Sequence, residues 1–192
     1  MAAGVTKRTT RDRILDAAES LFAKQGYQAT TIKNVAAKVG VQGPALYKHF
    51  DSKRALFEEV LQRLFSPFSD LLSDTDDLRG SQVHTMQLHL ANPNISRIVA
   101  HATLSGGEDL ALLVERWYRP FFSVTRAEIA AGTPGFTPAS VMAFHSMLLG
   151  YLTLAPLHQA IFDTDPLTDS ALAELLQLQE KLSTAVRQRS DH

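Results

Sequence analysis

Residues 31–50 read TIKNVAAKVGVQGPALYKHF, and this stretch decides the fold. Thr30 or Thr31 can cap a helix by offering its hydroxyl to free backbone N–H groups. Ile32, Val35, Ala36 and Val39 then recur at helical spacing, and Gly40 ends the run where a residue without Cβ can turn left-handed. A further helix can begin at Gln42 and reach about His49, with Pro44 accepted in a first turn that makes no intrahelical use of its missing N–H. Ala36 and Val41 are placed to seal the angle, and Ala45, Leu46 and Phe50 anchor the second helix on the first. Gln42, Gly43, Pro44, Tyr47, Lys48 and His49 remain on or beside the outer face. Two short helices at a tight turn, with such a face left over, form the layout of a helix that enters the DNA major groove.

The same periodicity extends outward. Upstream, Ile14, Leu15, Ala18, Leu21 and Phe22 form one apolar stripe that Gly26 closes as a C-cap. Downstream, Asp51 or Ser52 caps a helix that turns Leu56, Phe57, Val60, Leu61 and Leu64 inward. Beyond Pro67, helices are expected near 77–91, 94–105, 108–131, 138–162 and 169–189. Asn92-Pro93, Gly106-Gly107, the Gly132–Pro138 loop and Asp163–Pro166 separate them. No strand pattern of useful length and no internal repeat interrupts this, so the fold class is all-α with about nine helices. A three-helix helix-turn-helix head would occupy residues 1–51, with an arm over 1–10, and a larger helical body residues 52–192. Residues 52–66 would be the connecting helix.

The chain has 192 residues, 45% of them apolar, and a net charge of −1. That near-neutrality is a cancellation: residues 7–54 carry ten basic and four acidic groups, and the remainder carries nine basic and sixteen acidic ones. A basic head that meets a polyanion is thereby set against an acidic body. Cysteine is absent, which excludes disulfide frameworks, thiolate metal sites and cysteine nucleophiles. Met1 to Val5 are too few for an export signal before Lys7 and Arg8, so a cytoplasmic location is expected. Ile129 to Phe162 is a run of 34 residues without Asp, Glu, Lys or Arg. It is broken by Gly132, Pro134, Gly135 and Pro138 and then by His145, Ser146, Thr153, Pro156, His158 and Gln159. It therefore reads as a buried or interface helix rather than a membrane span. No glycine-rich phosphate loop, nucleophile elbow or paired-carboxylate motif stands out, so no enzyme and no cofactor is expected.

Together, AESLFAKQGYQATTI, the two-helix motif and YKHFDSKRALFEEVL resemble the TetR family of bacterial transcriptional regulators over roughly residues 10–60. The resemblance implies that Tyr47 and His49 contact the sugar-phosphate backbone. It likewise implies phosphate contacts by Thr31 and Lys53 at helix starts, with Lys33 and Lys38 as weaker ones, and the free N–H groups and cations there support them. Lys7, Arg8 and Arg11 form an arm for the minor groove or backbone. Base reading rests on Gln42 toward adenine, Lys48 toward guanine and Pro44 or Ala45 toward a thymine methyl, with Gly43 giving close approach instead of a contact. So few direct readers leave part of the specificity to DNA shape.

Half-site reading requires a dimer. Ala143, Ser146, Gly150 and Thr153 recur at spacings suited to a close helix crossing, and Ala171, Leu175, Leu178, Leu182 and Ala185 make a seam on the last helix. These two helices from each subunit are expected to form a four-helix bundle, as the resemblance also implies. The family couples an effector site in the body to the spacing of the heads. Candidates for that pocket are Phe65, Phe68, Met86 and His89, then His101, Trp117, Tyr118, Phe121 and Phe122, and finally Met142 and His145. Pro120 should kink its helix and open space beside Trp117 and Phe121. Such a lining suits a small apolar or aromatic effector. His84 and His89 are about 140° apart around a helix, so they do not chelate as a pair, and no metal is expected. The whole reads as a homodimeric repressor of a palindromic operator in double-stranded DNA, released by its effector. The alternatives are a regulator without an effector, or an activator.

Overall fold

Three capping boxes set where helices begin. Thr9 and Asp12 open α1 (Thr10–Ala29), Thr31 and Asn34 open α2 (Ile32–Val39), and Thr137 and Ser140 open α10 (Pro138–Phe162). In each, the threonine hydroxyl accepts the third residue's N–H and that residue's side chain returns the bond, so two orphan donors are met at once. The computed structural model describes residues 8–69, 78–133 and 137–189, and all regular structure among them is helical. Lys7, Pro134 and Gly135 and the side chain of His84 lie outside what is described.

After α2 come α3 (Gly43–Leu46), α4 (Lys53–Ser69), α5 (Leu78–Ala91) and α6 (Asn94–Ser105). The helix expected over 108–131 is divided into α7 (Gly107–Leu113), a π turn (Val114–Tyr118), α8 (Arg119–Phe121) and α9 (Ser123–Ala130). Pro120 has no N–H to continue the ladder, the Arg119 N–H reaches back to the Val114 carbonyl, and Phe122 leaves helical geometry at φ −88°, ψ 13°. α11 (Asp169–Arg189) completes the chain, and the bounds of α10 and α11 match the sequence reading. The second motif helix is shorter than expected: α3 stops at Leu46, and a turn held by the His49 and Phe50 N–H groups on the Leu46 carbonyl carries the chain to α4.

One apolar cluster runs from head into body. Ile14, Ala18 and Phe22 of α1 share it with Val35 of α2, Leu46 of α3, Phe57 and Leu61 of α4, and Ile98 of α6. Phe22 packs edge-on to Phe57 with ring centres 4.9 Å apart. The connector α4 thus belongs to both parts. A second, smaller cluster joins Met86 of α5, Leu148 of α10 and Leu172 and Leu175 of α11.

Gly40 serves as the expected C-cap, whereas Gly26 kinks α1 and the helix resumes to Ala29. Gly40 ends α2 at φ 78°, ψ 31°, with open space where a Cβ would stand. Gly26 breaks α1 at φ 77°, ψ 170°, a region that essentially only glycine occupies, and an added Cβ would lie 3.2 Å from the His101 ring. Gly40→Ala should therefore cost about 1 kcal/mol, from left-handed strain alone. Gly26→Ala should cost more, about 2–3 kcal/mol. Urea unfolding of the two variants checks the order, and equal midpoints would contradict it.

Candidate nucleic-acid interface and ligand cavity

The outer face of the motif is built by burying its other side. Val35, Ala36 and Val39 of α2 and Leu46 and Phe50 beyond the turn all go into the core, which leaves Lys33, Gln42, Pro44, Tyr47, Lys48 and His49 exposed and Gly43 half-buried. Tyr47 is 55% exposed, a high value for an aromatic with a core beside it. Lys33 and Lys48 have no acidic partner among the described residues. Thr31 is exposed, but its hydroxyl is engaged in the cap, accepting the Asn34 N–H at 3.1 Å. Lys38 donates to Ser20 at 2.7 Å. In the expected arm, Arg8 pairs with Asp16, and Arg11 pairs with Glu59 and lies over the Phe50 ring. Lys53 is turned inward: its Nζ donates to the Tyr27 and Thr30 carbonyls at 3.0 Å each and stands 4.1 Å from the Tyr27 ring centre. It holds the end of α1 against the start of α4.

Two buried carboxylates tie this head to the body. Glu19 of α1 accepts from Arg63 of α4 at 2.5 Å and from the Asn92 and Asn94 side chains at 2.9 Å. Burial alone would raise its pKa, but the Asn94, Asn92 and Arg63 hydrogen bonds outweigh that and hold it below the ordinary glutamate value. Asp109 in the first turn of α7 accepts from Arg54 of α4 at 2.8 Å and from Gln28 of α1 at 3.0 Å.

Beyond α4 lies a cavity of about 110 Å³, walled by Phe65, Phe68, Thr85, His89, Arg116, Trp117, Tyr118, Pro120, Phe121 and His145. Trp117 stacks on Phe65 with centres 5.5 Å apart, and Phe68 meets His89 edge-on at 5.5 Å. His89 is buried, with Nδ1 2.8 Å from the Ser96 hydroxyl. Burial, with the nearby His145 charge, pulls its pKa from 6.5 down to about 4. Burial lowers His145 as well and raises the Tyr118 phenol. Both imidazoles are therefore neutral near pH 7. The Trp117 indole nitrogen is buried and has no hydrogen-bond acceptor.

Residues 14–60 match the family model for bacterial regulatory proteins of the tetR family. The head belongs to the TetR family. The chain is 34% identical over 79 residues to the HTH-type transcriptional repressor KstR2 of Rhodococcus jostii, 39% of each chain. Over 62 residues it is 34% identical to IcaR of Staphylococcus aureus, a negative transcriptional regulator of the biofilm operon icaADBC, covering 32% of this chain and 33% of that one. The chain thus spans about two fifths and one third of these curated relatives. Solved structures carry the fold further. A TerR/AcrR-family regulator from Aquifex aeolicus aligns at TM-score 0.60 and 19% identity, over 92% of this chain and 99% of its own. The fatty acid degradation regulator FadR of Bacillus halodurans aligns at 0.54 and 17%, over 95% and 96%.

Behind this TetR-family head, the body gathers some of the sequence candidates and disperses others. Phe65, Phe68, His89, Trp117, Tyr118, Phe121 and His145 share the cavity wall. Met86 does not, because its helix face packs into the second core with Leu148 and Leu172. His101 turns toward Gly26 and bounds a separate small space beside Phe22 and Tyr27. Met142 points outward from α10 and is 62% exposed. Thr85 and Arg116 were missed; Arg116 lies within the π turn, 5.8 Å from the Trp117 ring centre, and regular helical spacing does not signal such a turn. On α10 and α11, Ala143, Ser146, Thr153, Leu178 and Leu182 are exposed and Gly150 has open space at its Cα. Leu175 is a correction: it faces inward, buried with Leu172. No group of three His, Asp or Glu suited to a metal ion occurs among the described residues.

The residues expected to interrupt the uncharged run do not shorten its helix. The 25 residues of α10 are long and apolar enough to cross a bilayer, and only 11% of the apolar window is buried. The breaking residues Pro134 and Gly135 fall before the helix, and Ser, Thr and His interrupt it without adding full charges.

His89 gives a pH dependence. The unfolded chain takes up a proton on this residue near pH 6.5 and the folded chain not until about 4, so its contribution is whole above pH 6.5 and is lost as the pH falls toward 4. The loss amounts to about 3 kcal/mol at most. His89→Leu should flatten thermal stability between pH 6.5 and 4.5, leaving the carboxylate-linked loss below that. An unchanged slope across that window would contradict it.

Proposed function

We propose that the chain is a homodimeric transcriptional regulator, a repressor that occupies a palindromic operator in double-stranded DNA and leaves it when a small apolar or aromatic molecule fills the cavity. The uncovered face of Gln42, Pro44, Tyr47, Lys48 and His49 carries this reading, because a folded chain buries such an aromatic unless the surface has another use. That two relatives are named as a repressor and a negative regulator supports repression over activation.

Residues 1–51 serve as the reading head and 52–192 as the sensing and pairing body. The charge-free outer side of α10, with Ala143, Ser146 and Thr153, and the exposed Leu178 and Leu182 of α11 form the face that a second copy covers. This use of α10 accounts for its apolar exterior without a bilayer, and its inward side already packs Leu148 and Ala155 into protein. An effector acts by fitting one arrangement of α7 and the π turn better than another, and Asp109 passes that choice to Arg54 and so to α4.

Operator binding followed by fluorescence anisotropy tests the head. Lys33→Ala should weaken binding by a similar factor on every sequence and lower the salt slope by about one. Gln42→Ala should cost about 1–3 kcal/mol at one base position and relax the preference there. Lack of any salt-dependent preference for a palindrome would sink the regulator reading. For the body, Leu178→Glu combined with Leu182→Glu should shift the mass in light scattering at micromolar concentration from two chains to one. A wild-type chain that is already monomeric under those conditions would refute the dimer.

A further inference from the structure

The cavity wall specifies more than apolar character, and the class of guest it defines rests on the reading of that cavity as the effector site. Size comes first: about 110 Å³ is somewhat less than the roughly 150 Å³ of an apolar protein cavity that holds benzene. That is the scale of a single ring, and the cavity's open side leaves room for a short substituent on it. The lining rings, Phe65 with Trp117 stacked on it and Phe68 and Phe121 edge-on to each other at 6.0 Å, offer both faces and edges to an aromatic guest.

Charge narrows the class. Among the described residues no aspartate or glutamate lines the cavity, so a buried cation finds no counter-ion. The cation in that wall, Arg116, is half-exposed and directed to Glu58 at 3.3 Å, so an anion would have to draw it away. His89 and His145 are neutral near pH 7 and offer an anion no charge. An uncharged guest meets none of these costs.

Polarity then adds one feature. Among the described residues, the Trp117 indole nitrogen is the buried side-chain group left without a partner, and it belongs to a side chain that lines the cavity. Indole is a donor only, so what it lacks is an acceptor. We infer that the cavity takes an uncharged, single-ring aromatic molecule whose carbonyl oxygen accepts the Trp117 indole N–H. The ring fills the space between Phe65, Phe68 and Phe121, and the oxygen supplies what the protein itself withholds.

Trp117 is the chain's one tryptophan, so the 15N-labelled protein shows one indole N–H resonance that needs no assignment. Acetophenone is the probe, with ethylbenzene as its counterpart without oxygen and benzylammonium and benzoate as charged rings. Acetophenone should move the indole proton downfield, and ethylbenzene should not. Calorimetry should show Trp117→Phe weakening acetophenone by about three- to tenfold, the worth of one neutral hydrogen bond, with ethylbenzene changed less than twofold. A silent resonance at millimolar acetophenone, an equal response to ethylbenzene, equal losses for both probes in the variant, or equal binding of a charged ring would overturn the inference. The NMR measurement holds even if the variant does not fold. Acetophenone seated on the indole without release of the operator would leave this inference standing and defeat the effector step of the regulator reading. A ligand that releases the operator without touching the indole would defeat this inference alone.

Discussion

A carboxylate buried among helices can stay charged only where its partners already stand, and Glu19 imposes that condition on the whole lower half of the molecule. Its three donors come from α4 and from the junction of α5 with α6, so α1 has one position that satisfies all of them. Removing one partner of such a buried pair typically costs about 3–5 kcal/mol, because the remaining charge is stranded. Asp109 repeats the condition at the opposite end of the head, with Arg54 and Gln28. The connector α4 is therefore held at Arg54 and again at Arg63, about two and a half turns apart, and the TetR-family head cannot rotate about it while both ties last.

The upper tie is the more accessible to change. Asp109 sits in the first turn of α7, and the same run of chain continues into the π turn whose Arg116 and Trp117 help wall the cavity. A π turn places one residue more in its loop than an α turn does, so the segment has a neighbouring register available to it. Packed interfaces switch between discrete arrangements more readily than they deform gradually. A guest that favours one register over the other would reach Arg54 through a single helix of seven residues.

The sequence disclosed the local devices well. Gly26, Gly40, the capping threonines and Pro120 each act within a turn of their own position, and their chemistry does not depend on what lies across the fold. Helix ends in the body were legible for the same reason. What the sequence concealed is whatever needs the third dimension. Glu19 meets Asn92 and Asn94 across 73 and 75 positions, and Gln28 meets Asp109 across 81. Nothing in the spacing of these residues announces the pairing. Helix phase concealed the rest: Met86, Met142 and Leu175 have the right composition for the roles assigned to them but point along the wrong side of their helices. Lys53 looked like a surface cation because two carbonyls at the end of α1 cannot be seen in a list of side chains.

The outer side of α10 and α11 has a consequence for how the two halves respond to their surroundings. A junction centred on α10, which carries no Asp, Glu, Lys or Arg, would give dissolved ions little to screen, whereas the proposed hold of the head on a polyanion would rest largely on displaced counterions. Ionic strength therefore acts on one equilibrium and hardly on the other. If the proposed dimer and operator binding hold, a rise in a cell's salt content would loosen the protein from DNA as intact pairs, ready to rebind without having to find each other again.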